Sequence, residues 1–176
     1  MGDCGDGFNS SYHIARLLAQ PELEVHCNEE ILFGTSGDSS PKKAKNKSKR
    51  SIVRRKFPRG DALVIGGDLA YPHPDSDSYE KRLWRCFEYA MKPPATYDPS
   101  AISTSKPELP RGCSSLEDYS GPTAFAIPGN HDWFDGLNTF TRFICQRNWL
   151  GGWLLPQRTS HFCIKLPHNW WFLGWI

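Results

Sequence analysis

Asp3, Asp68, Tyr71, Asn130 and His131 are the residues whose types and spacing could do chemistry in this chain. Asp68 and Tyr71 belong to Gly66-Gly67-Asp68-Leu69-Ala70-Tyr71, which follows the apolar run Ala62-Leu63-Val64-Ile65. Asn130 and His131 belong to Pro128-Gly129-Asn130-His131-Asp132, which follows Ala124-Phe125-Ala126-Ile127. A third acidic turn, Gly2-Asp3-Cys4-Gly5, stands near the start. Carboxylate and amide oxygens are ligands for hard cations, and an imidazole can move a proton near neutral pH. A hydrolase using two ions about 3.5–4 Å apart needs a carboxylate to bridge them. Asp68 has that chemistry, Asp3 could hold one ion, and the Asn130 amide could complete the shell of the other. The plainer alternatives are hydrogen-bonded turns at Asp68 and at Asn130-His131, a loose acid pair at Asp3 and Asp6, and a packed or surface phenol at Tyr71. Asp132 is expected to orient its neighbours or cap the next helix, and His73 to be an exposed loop residue.

Such ligands must be positioned by strands. Short apolar runs ended by Gly or Pro read as buried strands, and α/β sheets build sites at the carboxyl ends of their strands. The pattern predicts a helix over 9–20, capped by Ser10 or Ser11, with Ile14, Leu17 and Leu18 as its apolar face. Short strands are expected near Leu23–Val25 and Ile31–Phe33. Residues 62–65 read as the central strand, and 78–91 as a helix with Leu83, Phe87, Ala90 and Met91 inward. Residues 93–121 read as a long irregular connection, 123–127 as a strand, and 136–148 as a helix with Leu137, Phe140 and Ile144 on one stripe. Two final strands are expected over 161–166 and 170–176, turning at Pro167-His168-Asn169.

With 176 residues, 39% of them apolar and 13% aromatic, the chain is long enough for one domain with a core. No apolar run has the length of a membrane span. No signal-peptide pattern opens the chain, and the six scattered cysteines lack a C-x-x-C pair, so reduced thiols and an intracellular setting are expected. Nine of the 21 Lys/Arg lie between Lys42 and Lys56 with no acid among them, leaving 12 basic and 19 acidic residues elsewhere. Residues 34–58 therefore read as a basic, disordered insertion in an acidic domain.

The series GD-x-G, GD-x-x-Y and GNHD, in this order, resembles the calcineurin-like metallophosphoesterase superfamily. The Tyr71 variant is most similar to its purple acid phosphatase branch. Stretches such as 12–20, 79–83 and 128–137 resemble the phosphoesterase domain of large plant proteins. The resemblance implies an α/β fold, a metallophosphoesterase-type β-sandwich flanked by helices (αββα). It implies metal ligation by Asp3, Asp68, Asn130 and Tyr71, two metal ions (Fe, Mn or Zn), and a phosphate-ester substrate. His131 would then face the phosphate and steady or protonate the leaving oxygen. The fold is expected to be incomplete. Only Met1 and Gly2 precede Asp3, where the family has a strand, and the later histidine ligands, including a G-H-x-H motif, are absent from these residues. An impaired enzyme is therefore one expectation. A non-catalytic module binding nucleic acid or an anionic surface through 42–56 is another, and a chain that does not fold stably alone is a third.

Overall fold

The computed structural model describes residues 1–28, 52–101, 106 and 109–175. The chain is mixed α/β, with several small sheets and short helices. It divides into two compact units: residues 1–19 with 60–176, and residues 20–59.

The smaller unit is a hairpin. β1 (Glu22–Asn28) pairs antiparallel with β2 (Ile52–Pro58), with Glu22 opposite Pro58 and Asn28 opposite Ile52. This corrects the expected disordered insertion at its carboxyl end. Val53 and Phe57 supply strand-forming residues, and the basic side chains are offset by acids across the pair: Lys56 meets Glu22 at 2.7 Å and Arg54 meets Glu24 at 3.6 Å. The rest of that insertion, and the strand expected near Ile31–Phe33, lie outside the described residues.

In the larger unit, a four-stranded sheet has the order β3-β4-β6-β5. β3 (Ala62–Ile65) runs parallel to β4 (Thr123–Ala126), Ala62 level with Thr123 and Ile65 with Ala126. β4 continues to β6 (Trp153–Leu154) through the parallel pair Thr123 and Leu154, and β6 turns back antiparallel on β5 (Trp149–Leu150). The Gln157 side chain extends β4 where strand pairing has ended. Its amide accepts from Ala126 N–H at 2.6 Å and donates to Ala126 O at 2.9 Å. No strand is assigned before Asp3, yet residues 1–5 run beside β3 and its following loop. The Met1 amine donates to Val64 O (3.0 Å), Asp3 N–H to Gly67 O (3.1 Å) and Gly5 N–H to Asp68 O (3.1 Å).

Helix α1 (Phe8–Leu18) forms close to where the pattern put it but faces the other way. Ser11, Ala15 and Ala19 are buried, while Ile14, Leu17 and Leu18 are exposed. Small residues let α1 lie close against α3 (Arg85–Ala90), which follows α2 (Ser76–Ser78) and a π-helical stretch, Tyr79–Trp84. Neither serine caps α1; Gly7 stands at its N-cap, and Ser11 Oγ bonds Cys4 O. Leu83 and Phe87 are fully buried as expected, Phe87 edge-on to Trp153 at 5.4 Å. α4 (Asn138–Phe140) runs into π-helical Thr141–Cys145, bringing Leu137, Phe140 and Ile144 into the same core. A last antiparallel pair, β7 (Phe162–Lys165) and β8 (Trp171–Gly174), carries exposed Trp170, Trp171, Leu173 and Trp175. Among the described residues no helix is long and apolar enough to cross a membrane, and all six cysteines are free thiols.

Candidate active site

The candidate residues sit on three loops at one end of the parallel pair β3–β4. The loops approach so closely that glycine is required between them. A Cβ on Gly67, whose φ is +100°, would lie 2.6 Å from Gly129 N, and one on Gly129 would collide with the Asp68 carboxylate. Gly5 is equally tight: its Cβ would stand 2.5 Å from the Ala70 backbone. Asp3 and Asp68 both adopt left-handed backbone, with φ of 50° and 51°, which costs energy for any residue with a Cβ. That strain is held by the ladder from residues 1–5 and by Asp132.

Asp132 is fully buried and ties two loops together. Its carboxylate accepts from Leu69 N–H at 3.2 Å, Gly129 N–H at 2.8 Å and the Tyr79 hydroxyl at 2.6 Å. Burial pushes its pKa above the ordinary carboxylate value, against those three donors. Asp132 is therefore an orienting residue, as the sequence suggested, and Tyr79 is a partner that helical spacing alone did not expose.

Within this frame Asp3, Asp68 and Tyr71 converge. The Tyr71 hydroxyl lies 2.7 Å from Asp68 Oδ2 and 2.9 Å from Asp3 Oδ1. One phenol proton faces two carboxylate oxygens, so the cluster holds more lone pairs than protons. Those hydrogen bonds, Asp68 first and then Asp3, hold the Tyr71 pKa well above the usual phenol range. Asp68 is nearly buried, whereas Asp3 is open to solvent. His131 N–H donates to the other Asp68 oxygen at 3.0 Å. The His131 ring stands edge-on to Tyr71, centroids 4.5 Å apart, and its Nδ1 lies 3.0 Å from Pro72 O. A carbonyl only accepts, so Nδ1 carries a proton and Nε2 is left for exchange.

Asn130 is exposed at the head of the turn His131–Trp133, directly before His131. Asp3, Asp68 and Tyr71 thus form a three-oxygen set suited by chemistry to one hard cation. Among the described residues no group of three or more His, Cys, Asp or Glu is placed to hold a metal. His73 is exposed, as expected, with its ring 6.2 Å from Phe134. Lys106 was not foreseen. It is buried, with Nζ donating to Ile144 O (2.7 Å) and Gln157 O (3.1 Å), and its isolated position in an irregular stretch gave no periodic signal.

The chain matches no family model, no curated protein and no solved structure.

Proposed function

We propose that this chain carries a metallophosphoesterase-type fold and a site for metal-dependent hydrolysis of phosphate esters. The observation that supports it best is the convergence of two carboxylates on one phenol oxygen, with a histidine ring against that phenol. Asp3, Asp68 and Tyr71 would hold a cation, with Asn130 the candidate toward a second; iron, manganese and zinc are the candidates. When bound, such ions neutralise phosphoryl charge and make water nucleophilic at neutral pH. The protein's own part is to fix the carboxylates and place a proton. Asp132 and the glycines hold the Asp68 and His131 loops in one register. The Nδ1 bond to Pro72 fixes the ring, so Nε2 is the atom that hands a proton to the departing alkoxide.

The test is elemental analysis together with phosphatase assay of the purified chain supplied with iron, manganese or zinc. Bound metal is expected to support hydrolysis, and Asp68→Asn to reduce both by at least about 100-fold. Undiminished hydrolysis in that variant would remove Asp68, and with it this reading. Binding to nucleic acid through 42–56 draws less support: in the described part of that segment, Arg54 and Lys56 face acidic partners.

A further inference from the structure

We infer that the cavity next to His131 receives a cationic group, an alkylammonium carried by the alcohol of the ester. The inference rests on the phosphoesterase reading for its name as a leaving-group site, and on the cavity itself for its chemistry. The cavity measures about 410 Å3, within the size range of small-molecule sites. Its walls are the loops around 73–76 and 134–139, which continue directly from Tyr71 and from His131. Phe134 lies 4.9 Å from the His131 ring and 6.2 Å from His73, so the cavity begins one ring beyond the proposed proton donor. An ester held at Asp3 and Asp68 with its leaving oxygen toward His131 would extend its alcohol in this direction.

The lining selects for positive charge. Asp75 and Asp135 contribute two carboxylates, and no Lys or Arg lines the cavity. Both acids are fixed in place. Asp75 accepts from Ser78 N–H at 2.8 Å and from the Ser78 hydroxyl at 3.0 Å. Asp135 Oδ2 accepts from Thr139 N–H at 2.9 Å, while its Oδ1 is buried and takes no hydrogen bond. Phe134 is 59% exposed and, with Pro74, gives the cavity an apolar wall. A weakly hydrated ammonium can rest on an aromatic face while neighbouring carboxylates balance its charge. An anionic group would be repelled, and a neutral one would gain nothing from the two acids.

The probe is choline, titrated against the chain by NMR, with the neutral isostere 3,3-dimethylbutan-1-ol as comparison. Choline is expected to bind at least about fivefold more tightly than the isostere, and Phe134→Ala to weaken it by a similar factor. Phe134→Tyr should retain binding, which separates loss of the ring from loss of the fold. Trp133→Ala, exposed but outside the cavity, should bind choline as the parent does. Asp68→Asn should also leave choline binding intact, so the cavity is tested apart from the phosphatase site. Hydrolysis of p-nitrophenyl phosphate, which carries no cation, tests the phosphatase site alone. No saturable choline binding, or equal binding of choline and its isostere, would overturn the inference whatever the hydrolysis assay shows.

Discussion

At the scale of single residues, the site is a problem of protons. Two carboxylates and a phenol share too few of them, and the His131 ring stands beside that phenol with Nδ1 against Pro72 O. If His131 protonates the leaving oxygen, its removal must matter most where that oxygen leaves badly. His131→Ala is expected to lower kcat/KM for alkyl phosphates by roughly 100-fold or more, and much less for p-nitrophenyl phosphate. Equal losses on both substrates would place the histidine in positioning alone. These residues were readable because each motif combines a ligand type with an obligatory glycine. The collisions at Gly5, Gly67 and Gly129 show why glycine is needed there. Lys106 and Gln157, by contrast, were invisible. Each satisfies backbone groups far along the chain, and no local pattern encodes such a partner.

At the scale of elements, strands were legible where apolar runs were long enough to have a boundary. Residues 62–65 and 123–126 are strands where expected, although β3 lies at one end of the sheet order and not at its centre, whereas β5 and β6 are pairs of residues around Gly151-Gly152, too short to carry a period. In α1 the large residues misled. Close helix packing selected the small face of Ser11, Ala15 and Ala19, and left the leucines outside. The connection around 93–121 is anchored by Lys106, and that anchor has a pH signature. Burial, opposed by Cys145 and aided by Arg158, lowers the Lys106 pKa to about 7. The unfolded chain therefore binds a proton that the folded chain releases between about pH 7 and the ordinary lysine value of 10.5. Stability should rise with pH through that window and lose the contribution as pH falls through about 7. The rise is on the order of 5 kcal/mol. Urea denaturation at a series of pH values should show it, and Lys106→Met should flatten it. A slope unchanged by the substitution would assign the effect to another group.

At the scale of the whole molecule, the buried residues gather into one aromatic-rich core, while β7–β8, whose Phe162 meets Phe125 of β4 at 5.0 Å between ring centroids, leaves much of its apolar surface uncovered. Trp170, Trp171 and Trp175 are 72%, 59% and 78% exposed. A patch of this kind binds apolar probes. The chain is expected to enhance the fluorescence of a hydrophobic dye, and the double variant Trp170→Ser with Trp175→Ser to lose most of that signal without loss of the thermal transition. Dye binding that survives the double variant would place the uncovered surface elsewhere, with the outward stripe of α1 the next candidate. The sequence implied exposed tryptophans here, while the sandwich itself remains a proposal beyond the mixed α/β architecture described.

The wiring of the site also bears on when it can exist. The bonds joining its loops span 63 residues, from Asp68 to His131 and from Leu69 to Asp132, or 68 residues, from Asp3 to Tyr71. Helix α1 closes its bonds within a single turn, whereas each of these must first bring distant chain segments together. During refolding, helical signal should therefore appear well before Tyr71 and His131 meet. The moment of closure is readable from pulsed hydrogen exchange of the Leu69 and His131 amides, whose N–H groups are bonded to Asp132 and Asp68 only when the loops have met.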